Sequence, residues 1–129
     1  MNKNWPVITT EMSAAVKELR AGAPNVMKEF SALARAALEP KALDSKTKEL
    51  IALAISVAVR CDPCIAFHAQ SAVKQGATRD EVMEAMGMAV YMGAGPSVMY
   101  AAQAVEAYDQ FKVPATRVLS GDSLIGHRL

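Results

Sequence analysis

The chain reads as an all-α protein, a bundle of about six helices. Its hydrophobic fraction is 52%, carried by Ala, Val, Leu, Ile and Met with only 5% aromatic residues, which suits helices better than strands. Apolar residues recur at helical spacing along most of the chain. Proline, glycine and cap-forming residues divide those stripes into segments.

The first segment runs from about Thr10 to Ala21, with Met12, Ala15, Val16 and Leu19 on one stripe and Thr9 or Thr10 as cap. Gly22 ends it, and Pro24 opens a second helix whose stripe is Val26, Met27, Phe30, Leu33, Ala34 and Ala37, closing before Pro40. Asp44 or Ser45 caps a third helix that becomes apolar almost all round between Leu50 and Ile55. Such a helix needs cover on most sides, which predicts contact with other subunits.

Pro63 cannot sit inside a continuing helix, so a fourth begins near Asp62, with Asp62 as cap, and stops at Gly76. Thr78 and Glu81 have the spacing of a capping box and open a fifth helix through Val82, Met86 and Val90. Gly93-Ala94-Gly95-Pro96 breaks it, and a sixth follows through Val98, Ala102, Val105 and Phe111 to Pro114. Beyond it, residues 115–129 form a tail with a turn near Ser120.

A chain of 129 residues is expected to form one domain with its own core. Its 14 Lys and Arg nearly cancel 13 Asp and Glu without forming blocks, which argues against nucleic acid as a partner. The longest apolar run, Leu50 to Val59, is about half of what a membrane-spanning helix needs, so no membrane partner is expected. The opening residues carry no secretory pattern, which points to the cytoplasm. There, a close pair of cysteines serves catalysis or metal binding more often than cross-linking.

Those cysteines are Cys61 and Cys64, and on a helix they share a stripe with His68. A helix start lowers the pKa of a thiol near it, and His68, one turn beyond Cys64, is placed to accept its proton. Cys61 is close enough to resolve an oxidised Cys64 as a disulfide. Zinc is the alternative, held by Cys61, Cys64 and His68 with a fourth ligand such as Glu49, while His127 lies in the tail. Inert thiols are the third reading. Gly87, Gly93 and Gly95 lack the strand-turn-helix setting of a nucleotide loop, and no cofactor is expected. Met83, Met86, Met88, Met92 and Met99 are expected to line a core or a subunit contact.

Glu49, the Cys61-Asp62-Pro63-Cys64 run and Ala66-Phe67-His68 together resemble the alkylhydroperoxidase, or AhpD-like, branch of the carboxymuconolactone decarboxylase family. That branch has a Glu twelve residues before the first cysteine and a His four after the second, and both spacings are present. The segment from Gly76 to Val82 and the glycine-rich break at residues 93–96 are similar as well. The resemblance covers about residues 44–111.

It implies a helical homotrimer or hexamer that reduces organic or hydrogen peroxide. Cys64 would attack the peroxide, Cys61 would capture the sulfenic acid, and Glu49 with His68 would relay the proton. A dithiol reductant, a protein or a lipoyl-type group, would restore both thiols. The founding alkylhydroperoxidase has a histidine immediately before the second cysteine, a place that Pro63 takes here. That departure touches the peroxidase assignment and leaves the dithiol alone. Decarboxylase members of the wider family generally lack the cysteine pair, so lactone decarboxylation does not fit these residues.

Overall fold

The structure is a computed structural model describing residues 3–113. Over these residues it is all-helical, with α1 at Trp5–Gly22, α2 at Pro24–Leu38, α3 at Ser45–Ala58, α4 at Asp62–Lys74 and α5 at Arg79–Lys112. The expected tail, with its turn near Ser120 and with His127, lies outside the described residues.

Five helices stand where about six were expected, because the last two are merged across a kink that falls at the expected break, Gly93–Pro96. The joint is a reversal. A straight helix would hold residues thirty apart about 45 Å from each other, yet Arg79 Nε donates to Asp109 Oδ1 at 3.0 Å and its Nη2 to Oδ2 at 3.1 Å. Pro96, which can neither donate to the helix ladder nor clear the preceding turn, and Ala94 at φ 56° and ψ −144° make the bend. A Cβ at residue 93 would lie 1.9 Å from Ser97 Oγ, so only glycine fits there. α5 is thus a hairpin of two helical arms.

Most expected helix starts are observed. Asp44 Oδ1 accepts the Thr47 N–H at 2.8 Å. The capping box of α5 is complete, with Glu81 N–H to Thr78 Oγ1 at 3.1 Å and Thr78 N–H to Glu81 Oε1 at 2.8 Å. α1 begins earlier than its apolar stripe suggested, at Trp5, because Asn4 caps it through Val7 N–H and Pro6 stabilises its first turn.

The core lies where α3, α4 and the two arms of α5 meet. Leu53 and Val57 of α3 pack with Ile65, Ala66, Ala69 and Ala72 of α4 and with Val82, Met86, Ala101, Ala104, Ala107 and Tyr108 of α5. So many alanines let the helix axes approach closely. Trp5 is fully buried in the same core, and Tyr108 O–H donates to the Ala77 carbonyl at 2.6 Å, fastening the α4–α5 loop.

α2 buries no residue at all. Its predicted stripe is outward, with Val26 68%, Phe30 59% and Leu33 62% exposed. Ile51, Ile55 and Val59 on α3 are exposed too, as are Met88, Tyr91, Met92 and Met99 about the turn of the α5 hairpin. Only Met86 of the expected methionine set is a core residue. Among the described residues, no helix is long and apolar enough to cross a membrane.

Lys46 Nζ meets Glu81 Oε2 at 2.8 Å, tying the start of α3 to the start of α5. The hydrogen bond from Lys46, followed by the one from Thr78, holds the Glu81 carboxyl below its ordinary pKa. A depressed carboxylate contributes stability above its unfolded pKa and loses it as pH falls through the folded value. Urea denaturation between neutral pH and pH ~3 should therefore show an acid-side decline that Glu81→Gln makes shallower. Thr78→Ala, which removes the cap itself, should cost about 1 kcal/mol at neutral pH in the same assay.

Candidate active site

The corner between α3 and α4 carries the cysteines. α3 ends in a Schellman motif: Arg60 N–H donates to the Val57 carbonyl and Cys61 N–H to the Ser56 carbonyl, each at 3.1 Å. Arg60 supplies the required left-handed residue, at φ 58°. Cys61 is then immediately the cap of α4, its Sγ accepting the Cys64 N–H at 3.2 Å. This corrects the expectation that Asp62 caps this helix: Asp62 is its first residue and Pro63 its second.

Proline chemistry decides which N–H the cap receives. A cap side chain accepts from the second or third backbone N–H of its helix. Pro63 has none to offer, so the first available donor belongs to Cys64, and Cys61 is the residue three before it. Cys61 and Cys64 form a disulfide with Cα atoms 5.2 Å apart. Sulfur at this position faces unpaired N–H groups and the positive end of α4, which stabilises a thiolate when the pair is reduced.

One turn after Cys64, His68 Nδ1 lies 2.8 Å from Glu49 Oε1. Glu49, on α3, is only 7% exposed, while the His68 side chain is 32% exposed. With the carboxylate ionised, Glu49 can only accept, and the proton of this contact would then sit on Nδ1 with Nε2 left as the acceptor nitrogen. Glu49 is thereby a buried acid with a specific partner, and His68 a histidine of fixed orientation. The expected members Glu49, Cys61, Cys64 and His68 thus fall into two bonded pairs on adjoining helices. No group of three or more His, Cys, Asp or Glu among the described residues is arranged to hold a metal ion.

An open cleft of about 350 Å³ lies between α1 and α4, lined by Ser13, Val16, Lys17, Arg20 and Phe67. Phe67 is three residues from Cys64 and so shares its side of α4. Sequence reading also missed Lys3, which pairs with Asp62 from 59 residues away. No periodicity or spacing signals a contact of that range.

A sequence model of the carboxymuconolactone decarboxylase family matches residues 24–107. The chain belongs to the carboxymuconolactone decarboxylase family. Among solved members, a crystal structure of a Legionella pneumophila family protein in its apo form is 50% identical, with a TM-score of 0.83 over 84% of this chain and 97% of that one. A Thermotoga maritima family protein, described as having a possible part in an antioxidative response, is 29% identical, with a TM-score of 0.74 over 88% of this chain and 94% of its own. An uncharacterized protein of Haemophilus influenzae is 41% identical over 108 residues, 84% of this chain and 96% of its own length. The family match begins within α2, earlier than the residues that carry the cysteine motif.

The same Schellman motif ends α4, where Gly76 at φ 81° takes the left-handed place and Ala77 N–H reaches the Ala72 carbonyl at 2.9 Å. The two corners differ in that the one beside the cysteines uses Arg60. A side chain in this conformation costs roughly 1 kcal/mol or more, less the entropy a glycine would lose. Arg60→Gly should therefore raise unfolding free energy by about 0.5 kcal/mol. Gly76→Ala, where a Cβ meets nothing within 4 Å, should lower it by about 1 kcal/mol through conformation alone. Paired denaturation curves would check both signs.

Proposed function

We propose that the protein is a thiol-dependent peroxidase of the alkylhydroperoxidase type, within the AhpD-like branch of its family. The observation that carries this reading is the Cys61–Cys64 disulfide in the first turn of α4, one turn from a Glu49–His68 pair joined at 2.8 Å. The antioxidative description of the Thermotoga maritima relative agrees with it.

The chemistry proceeds in four steps. His68 Nε2 takes the Cys64 proton while Glu49 stabilises the imidazolium. The Cys64 thiolate attacks the terminal oxygen of a peroxide ROOH, the O–O bond breaks, and the alkoxide takes the proton back from His68 to leave as ROH. Cys64 is now a sulfenic acid. The Cys61 thiol displaces its hydroxyl as water, forming the observed disulfide. A dithiol reductant then attacks the disulfide, ends as a disulfide itself and returns both cysteines to thiols. When Cys61 is the leaving sulfur, the Cys64 N–H that it accepts stabilises it as thiolate.

A cytoplasmic setting, with one domain per chain, fits a pair that must be re-reduced each cycle. The exposed apolar residues of α2, α3 and the α5 hairpin support assembly into a homotrimer or hexamer, since a monomer rarely leaves so much apolar surface to water.

With an added dithiol reductant, Cys64→Ser should abolish peroxide consumption, and Cys61→Ser should stop after one oxidation with a trappable sulfenic acid. Glu49→Gln should slow turnover by about 100-fold or more while the disulfide still forms on prolonged oxidation. Undiminished turnover in the Cys64 variant would overturn the assignment. Mass measurement in solution should give three or six chains, and Ile55→Glu, placed on the exposed face of α3, should shift the population toward the single chain.

A further inference from the structure

Lys3 is held more firmly than a surface lysine. Its carbonyl accepts Gln110 Nε2–H at 2.7 Å, and two residues on, Trp5 N–H donates to Gln110 Oε1 at 2.7 Å. Trp5 is wholly buried, and its indole N–H donates to Glu106 Oε1 at 2.9 Å. The Lys3 ammonium donates to Gln103 Oε1 at 2.6 Å and stands 5.5 Å from the Trp5 ring centroid. Gln103 and Gln110 are themselves buried. The start of the chain is thus strapped to the second arm of α5, with the ammonium aimed outward at one remaining partner.

That partner is Asp62, which stands between the two cysteines. A carboxylate at the first position of α4 is favoured by the helix field, yet its charge opposes a thiolate on either neighbouring sulfur. Of the other titratable side chains, Glu49 on α3 faces His68 on α4 at 2.8 Å, Arg60 stands in the corner, and Glu106 on α5 accepts the Trp5 indole N–H. Glu49 is engaged by His68 and Glu106 by the indole, which leaves Lys3 as the cation bonded to the carboxylate of the motif.

We infer that Lys3 is a positioning residue of the dithiol: by holding and neutralising Asp62 it stabilises the reduced, thiolate-bearing pair and so makes the Cys61–Cys64 disulfide easier to reduce. This rests on the reading of the cysteines as a redox couple and adds to it a residue from the far end of the chain. Stabilising the reduced form raises the potential of a dithiol couple. Both side chains are about a third exposed, at 37% and 34%, so solvent screens the effect and limits it to severalfold.

The test is the equilibrium of the full-length protein with glutathione, in which two glutathione thiols reduce the disulfide and emerge as glutathione disulfide. At neutral pH, Lys3→Met should shift this equilibrium toward the protein disulfide by about threefold. Asp62→Asn should shift it the other way by a similar factor. The double variant should match Asp62→Asn alone, because without Asp62 the lysine has no carboxylate to hold, and Lys3→Arg should retain the wild-type value. A role limited to fastening the N-terminus would instead give Lys3→Met the same effect with or without Asp62. That result, or an unchanged equilibrium in Lys3→Met while the wild-type pair exchanges normally, would overturn the inference and leave the redox reading standing. A wild-type pair that does not exchange with glutathione would overturn both.

Discussion

The site depends on one residue serving two helices. Cys61 gives its backbone N–H to the last turn of α3 and its sulfur to the first turn of α4. With no spare residue between these roles, the corner has little freedom, and the helices leave it in fixed directions. At about 1.5 Å of rise per residue, Glu49 lies about 14 Å back from the end of α3 and His68 about 9 Å into α4. From these places on two helices that meet at the corner, the two side chains reach each other in a 2.8 Å contact. The acid–base pair and the dithiol are therefore consequences of a single local geometry.

Pro63 acquires a definite role in this light. At the second position of α4 it removes a competing donor, so the cap bond runs from Cys64 N–H to Cys61 sulfur. The residue that departs from the founding alkylhydroperoxidase thus sets which backbone N–H the Cys61 sulfur receives. Arg60 makes the complementary contribution from the α3 side, holding a left-handed conformation that Gly76 meets at no steric cost in the equivalent corner after α4. Conformational strain sits beside the cysteines and is absent from the purely structural corner.

Much of this was legible in the residues because local chemistry decided it. Asp44, Thr78 with Glu81, and Gly76 are caps or stops whose function needs only a few neighbours, and each does what its position suggested. Glu49 and His68 became a pair through family spacing, since helical periodicity relates residues only within one helix. The start of α1 was missed because the apolar stripe begins later than the cap and proline signals at Asn4 and Pro6. The cap of α4 was missed because sulfur is a weaker acceptor than the adjacent carboxylate of Asp62, and Asp62 followed by Pro63 is itself a favourable cap and first position. Periodicity marked an apolar stripe on α2 but carries no information about which chain covers it, and among the described residues Val26, Phe30 and Leu33 stay exposed.

The composition of the core links that uncovered surface to the site. Ala66, Ala69 and Ala72 of α4 and Ala104 and Ala107 of α5 are all fully buried, which lets backbones pack closely and keeps α4 from shifting against its neighbours. A buried alanine removes far less apolar area from water than a leucine does, so close packing here comes with a modest hydrophobic gain. The larger side chains that could enlarge it, among them Phe30, Leu33, Ile55 and Met92, face outward. In the proposed assembly those residues would supply burial that the alanine core does not. Precision at the dithiol and reliance on neighbouring subunits would then share one origin: small residues inside and large ones outside.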